Sequence, residues 1–293
     1  MWTLLQIELF KIFKRPRTYI PFVAIAAMVL IIQVGLKFDG KSYLELMMSS
    51  LSDSFYIPYN MVMNGYLVAF VILNTLLIQV PLLVALVAGD IIAGEANMGT
   101  LRLLVTRPVS RTKLMLVKFA ASVIYTFLLL VWMAILALFL SMLLFGTNDM
   151  LIARNNVMEQ IQRADVFWRY IAAFGYATVA LSTVAALAFL LSVFAENSIG
   201  PIVSTISIVI VLTILSEMRI PLYDNTLKPW LFTSHMLAWK GFFYSQSNGE
   251  GAAIPGTVEN LPAIMRSLAI LLAYITGFVT VAIWAFRKRD ILS

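Results

Sequence analysis

The run FAASVIYTFLLLVWMAILALFLSMLLF, from Phe119 to Phe145, contains no charged residue. As a helix rising about 1.5 Å per residue, it reaches about 40 Å and exceeds the roughly 30 Å hydrocarbon core of a bilayer. Five more apolar runs flank it: Tyr19 to Phe38, Tyr66 to Ala88, Tyr170 to Ala195, Ser198 to Ser216, and Arg266 to Phe286. These read as spans. The 293 residues are 61% hydrophobic and only 12% charged, where a soluble domain averages about 45–50% and about 25%. The mean hydropathy is +0.91. Together these values exclude a soluble fold, a disordered chain and a collagen-like fibre. The expected class is an all-α integral membrane protein with six transmembrane helices.

An even number of spans puts both termini on one side. The segments on that side carry Lys11, Lys14, Arg15 and Arg17, then Arg102, Arg107, Arg111, Lys113 and Lys118, then Arg287, Lys288 and Arg289. Their acids are Glu8, Asp90, Glu95, Glu196 and Asp290, while the opposite segments are close to neutral. Because cations are retained on the cytoplasmic face, this asymmetry places both termini in the cytoplasm. The net charge of +6 is then a topology signal, and no nucleic acid is needed to explain it. Residues 1–38 resemble a signal peptide in charge order, but Val34-Gly35-Leu36-Lys37 lacks a small-residue cleavage pattern, so the first span is expected to stay as an anchor.

Ahead of that span, Trp2, Leu5, Leu9, Ile12 and Phe13 fall on one helical face, and Glu8, Lys11, Lys14 and Arg15 on the other. Pro16 interrupts the helix. Residues 1–17 are therefore expected to form an amphipathic interfacial helix that turns sharply into the bilayer.

The chain shows no repeat and no separate soluble unit, so residues 1–293 read as one transmembrane domain. Residues 89–118 form an extended cytoplasmic loop between spans two and three. Only Glu196, Asn197 and Ser198 join spans four and five. The longer stretches, 39–65, 146–169 and 217–265, fall outside. Residues 217–265 carry Pro221, Pro229, Pro255 and Pro262 among several glycines, which predicts an extracytoplasmic cap of short helices, with 246–256 its most mobile part.

Several chemistries are unsupported. With no cysteine there is no disulfide, thiolate metal site or cysteine nucleophile. The lone histidine, His235, sits in the cap and suggests no metal site. No G-x-x-x-x-G-K-[ST], H-E-x-x-H or G-x-S-x-G occurs, so the chain is not expected to be an enzyme or to bind a cofactor itself. The span interiors lack the ionisable residues a proton-coupled carrier uses. Their polar groups are neutral: Gln33, then Asn74, Thr75 and Gln79, then Thr178, Ser182 and Thr183, then Ser204, Thr205, Ser207 and Thr213. Most are expected to bond their own backbone or to join helices. Asn74 and Gln79, with Pro81 close behind, suggest a protein-facing or wet helix, and with Ser204 and Thr205 they are candidates for a translocation path or helix packing. Ala173 and Ala177 allow a close helix approach.

The segment Gly89-Asp90-Ile91-Ile92-Ala93-Gly94-Glu95-Ala96-Asn97-Met98-Gly99-Thr100-Leu101-Arg102-Leu103-Leu104-Val105-Thr106-Arg107-Pro108-Val109-Ser110-Arg111-Thr112-Lys113-Leu114 is the most informative part of the cytoplasmic side. Leu101, Leu104 and Val105 repeat at helical spacing, so a short amphipathic helix starts after Gly99 and ends before Pro108. Ser110 suits the N-cap of the helix that becomes span three. Such an element, joined to two spans, passes a push into the bilayer.

Here the chain resembles the membrane permeases of type-2, exporter-class ATP-binding cassette (ABC) transporters. Gly94-Glu95, Gly99-Thr100-Leu101, Thr106-Arg107-Pro108, Ser110-Arg111 and Lys118 follow that family's run after its second span. Phe286-Arg287-Lys288-Arg289-Asp290-Ile291 is similar to its usual closing segment, although the outer loops here are larger than a minimal permease needs. The resemblance implies a dimer, of two copies or with a paralogue, whose cytoplasmic coupling helix docks on a separate ATPase present in two copies. ATP and magnesium would belong to that partner, and the location would be a bacterial cytoplasmic (inner) membrane. The implied docking residues are Gly94, Glu95, Gly99, Thr100, Leu101, Arg102, Leu104, Thr106, Arg107, Pro108 and Arg111. Glu8, Lys11, Lys14 and Arg15 of the interfacial helix would touch the same partner. Two other readings compete. A non-transporting lever driving an extracytoplasmic protein would give a stable cross-linked partner on 223–256, and a secondary carrier would work without any ATPase.

Overall fold

The computed structural model describes residues 1–48, 63–76, 78–100, 109–154, 157–218, 228–246 and 254–288. Among the described residues, six helices are long and apolar enough to cross a membrane: Pro16–Tyr43, Gln79–Asn97, Arg111–Phe145, Arg163–Phe194, Ile199–Glu217 and Leu261–Lys288. The all-α membrane class follows directly. Helix α1 (Trp2–Lys14) precedes them, and Pro16 opens the short 3-10 turn Pro16–Tyr19 that bends the chain into α2 (Ile20–Met48). Proline fits there because the first turn of a helix has no use for its missing N–H. Asp39 departs from helical geometry inside α2, close to the expected end of span one at Phe38.

The second crossing is broken where one continuous span was expected. It consists of α3 (Gly65–Thr75) and α4 (Gln79–Ala88), followed across Gly89 by α5 (Asp90–Asn97). Asn64 caps α3 by accepting the Leu67 N–H at 2.9 Å, while its own amide donates to the Asp149 carbonyl. Pro81 lies three positions into α4 and cannot donate to the preceding turn, which suits a helix restarting at Gln79. At Gly65 a methyl group would collide with the backbone of Met142, so glycine permits the close approach to the third crossing.

That third crossing is α6 (Arg111–Ala134), a π-helical turn (Ile135–Leu140) and α7 (Ser141–Phe145). A π turn shifts the hydrogen-bond ladder and leaves a carbonyl available for a partner. Gln33 of α2, fully buried, donates from Nε2 to the Leu136 carbonyl at 2.9 Å and to Ser141 Oγ at 2.8 Å. One neutral amide therefore ties the first crossing to the third in the way interhelical polar groups do in lipid.

A hairpin of β1 (Met150–Arg154) and β2 (Val157–Ile161), antiparallel with Met150 opposite Ile161, follows. It was not expected from the sequence. The fourth crossing, α8 (Arg163–Phe194), is the hub, packing on the second, third, fifth and sixth crossings and on the cap. Two-thirds of its apolar window is buried, against 17% for the last crossing. The fifth and sixth crossings are α9 (Ile199–Glu217) and α11 (Leu261–Lys288). Between them the cap contains the 3-10 turn Lys228–Trp230, α10 (Phe232–Met236) and the 3-10 turn Leu237–Phe243. The expected short helices are therefore present. Of the expected mobile stretch 246–256, residues 247–253 lie outside the described residues.

Arg169 holds the cap to α8. It is wholly buried, binds Asp165 at 2.6 Å, and donates to the Phe242 and Thr257 carbonyls and to Ser245 Oγ. His235 is a tie between cap and bundle, with Nδ1 3.0 Å from Ser267 Oγ and Nε2 2.9 Å from the Pro229 carbonyl.

Candidate functional site at the basic end

Residues from α1, α5 and the start of α6 meet at the end of the bundle that carries α1 and the last turn of α11. Glu8 is 7% exposed, Glu95 4% and Lys118 1%. Lys118 Nζ lies 2.7 Å from Glu8 Oε2 and 2.8 Å from Glu95 Oε1, and Lys11 Nζ lies 2.9 Å from both carboxylates. Two acids and two lysines thus form a closed square of no net charge. Beside it, Asp90 receives Arg15, Arg17 at 3.0 Å, and the hydroxyl of Ser198 from the short link before α9. Desolvating one ion is costly unless partners surround it, so the arrangement depends on all its members.

The local sequence explains how these groups are brought together. Gly94 has no side chain because the Asp90 carboxylate occupies the space a methyl would fill. Ser192 of α8 accepts the N–H groups of Ile92 and Ala93 at 3.1 and 2.8 Å, which fastens the first turn of α5 to the hub. Gly99, at φ +68°, adopts the left-handed conformation that commonly ends a helix. Thr100 Oγ1 closes back on the Glu95 carbonyl at 3.2 Å. Gly94, Glu95, Gly99 and Thr100 of the recognised run therefore each have a structural task. Leu101, Arg102, Leu104, Thr106, Arg107 and Pro108, with the short helix expected there, lie outside the described residues. Ser110 is the N-cap of α6, as expected, accepting the Lys113 N–H at 3.3 Å. Arg111 donates to the Arg287 carbonyl at 3.0 Å and joins the last turn of α11 to the same end.

Two expected orientations change. Glu95 turns into the bundle, so the hydrogen bonds seen at its Oε1 are made within the chain. Helix α1 keeps Leu5, Leu9, Ile12 and Phe13 against the bundle, but Glu8, Lys11 and Arg15 turn inward with them, while Trp2 and Phe10 are exposed. The reason is that Asp90, Glu95 and Lys118 supply opposite charges that water would otherwise have to supply. Lys14 stays outside, over the Phe10 ring. The other candidates are dispersed. Asn74 donates to the Phe70 carbonyl and Thr205 to that of Pro201, each on its own helix, while Ser204 is exposed and Gln79 Oε1 is buried without a hydrogen-bond partner among the described residues.

Burial alone would raise the Glu8 pKa, but Lys118 and Lys11 beside it hold the carboxyl below its ordinary 4.5. Lys11 is opposed by burial too, yet Glu8 and Glu95 hold its ammonium above 10.5. The Glu8 contribution to stability is therefore fully present above about pH 4.5 and lost as pH falls through the lower folded value. The Lys11 contribution is present below about pH 10.5 and lost as pH rises through the higher folded value. Thermal unfolding of the full chain in detergent, followed from about pH 3 to about pH 11, should give a plateau falling at both ends. Glu8→Gln should flatten the acid limb.

The fold and this junction define a polytopic all-α membrane protein whose first helix is locked by ion pairs to α5 and to α6. A family model described as a protein of unknown function, DUF2705, matches residues 23–292, and the chain belongs to that family. It is 26% identical over 227 residues to the uncharacterized membrane protein YdbK of Bacillus subtilis (strain 168), covering 78% of this chain and 82% of that one. It is also 26% identical over 214 residues to the uncharacterized protein YhcI of the same organism, covering 70% of this chain and 63% of that one. The chain thus spans under two-thirds of the second relative.

Proposed function

We propose that the chain is the permease subunit of an ATP-driven ABC transporter, resting in a bacterial cytoplasmic membrane with the basic end in the cytosol. The observation that carries this reading is the closed square of Glu8, Lys11, Glu95 and Lys118, which binds the interfacial helix to the segment resembling a coupling helix. Through it, a displacement applied near Leu101 to Pro108 reaches the first, second and third crossings as one body. Ser192 adds the fourth, and Ser198 the fifth. ATP binding, with magnesium, would draw two copies of a separate ATPase together and move two such levers, one in this chain and one in a second copy or paralogue, switching the dimer between two membrane conformations. Arg102, Arg107 and Arg111 would meet the ATPase, with Leu101 and Leu104 filling an apolar pocket on it.

The test is affinity purification of the full chain from its native membrane. A protein with a nucleotide-binding loop should co-purify in equal amount, and Arg107→Ala should lower transport per ATP hydrolysed by about tenfold or more. Purification without any such protein overturns the reading.

A further inference from the structure

The break in the second crossing opens a cavity of about 260 Å³. An engineered apolar cavity of about 150 Å³ already holds benzene, and ligand pockets begin near about 300 Å³. Its walls are aliphatic and aromatic, contributed by Pro81, Met133, Phe174, Val209 and Trp239 among others, with Asn74, Thr213 and Thr233 as sparse polar points. Asn74 donates its amide to the Phe70 carbonyl of its own helix. At the cap end of α9 the cavity is lined by the exposed carboxylate of Glu217. Burial lowers the pKa of the partly buried Lys240, and the negative charge of Glu217 works against that shift.

We propose that this cavity is a binding site for an aliphatic amphiphile carrying an amine head, with the chain beside the helix break and the head against Glu217. The size and apolar lining select the chain. The carboxylate at the mouth selects a head that donates hydrogen bonds and carries positive charge. The inference deepens the transporter reading by giving a substrate class, but binding here needs no ATPase.

The experiment uses the full chain in nanodiscs with radiolabelled dodecylamine as probe, and dodecanoic acid and empty discs as controls. Saturable binding of one amine per chain is expected, and about tenfold weaker binding of the acid, equivalent to about 1.4 kcal/mol. Ala177→Phe, which fills the cavity, should abolish saturable binding. Glu217→Gln, at an exposed helix end where folding is not at stake, should weaken the amine by a similar factor, and Lys240→Met should strengthen it. Equal uptake by empty discs, or amine binding unchanged in Glu217→Gln, overturns the proposal. Loss of the ATPase from the purification would leave this binding intact, and loss of this binding would leave the co-purification intact, so the two readings fail separately.

Discussion

Lys118→Met is expected to destabilise the folded chain by about 3–5 kcal/mol, the range for removing one partner from a buried ion pair. The lysine is 1% exposed and touches both Glu8 and Glu95. Without it two carboxylates face each other with only the half-exposed Lys11 between them. The loss should appear as a lower unfolding temperature in detergent and as rapid proteolysis of α1. The triple variant Lys118→Met, Glu8→Gln, Glu95→Gln should recover most of that stability, because neutral replacement of a whole buried network is often tolerated. What it should not recover is transport, if the locked first helix is part of the lever. A Lys118→Met chain as stable as the parent would show that the square is held by something other than its charges.

The second large effect belongs to the opposite end. Arg169→Leu removes the donors that serve Asp165, the Phe242 and Thr257 carbonyls and Ser245. Each buried acceptor left without a partner costs about 1–3 kcal/mol, and more where charged. A total loss of about 3 kcal/mol or more is expected, concentrated in the cap. Limited proteolysis between Lys228 and Gln246 should accelerate well before the helical bundle unfolds. Arg169→Lys should rescue little, because a point ammonium cannot reproduce the planar fork that reaches three segments at once. Co-purification of any partner bound at the basic end should be unaffected, which separates a cap defect from general collapse.

Neither clamp is visible in a hydropathy reading, and the reason is the same for both. Arg169 lies one residue before the apolar run that starts at Tyr170, and Lys118 one residue before Phe119. A charge at the end of a span usually reaches water or headgroups. Here tertiary packing closes over it instead. Likewise the charged stripe of α1 was legible, but its partners stand about 75 to 110 residues away in sequence, and helical periodicity carries no information at that range. Gly94 and Gly99 were legible as motif residues, while their tasks, space for Asp90 and a left-handed helix end, are set by the folded backbone. The broken second crossing had a readable signal in Asn74, Gln79 and Pro81, and that signal pointed to the region where the cavity opens.

By itself the amino-acid sequence determined the solvent this protein lives in, the number of its apolar crossings and the clustering of its cations at one end. Those follow from the length and polarity of contiguous segments, which no tertiary contact can alter. The tertiary structure alone decided which charges are withdrawn from water, that one helix is interrupted and a π turn is met by Gln33, and that a hollow remains beside the interruption. Such outcomes depend on which distant side chains arrive opposite one another, and a buried charge or a helix defect persists only where that arrival supplies its missing partner.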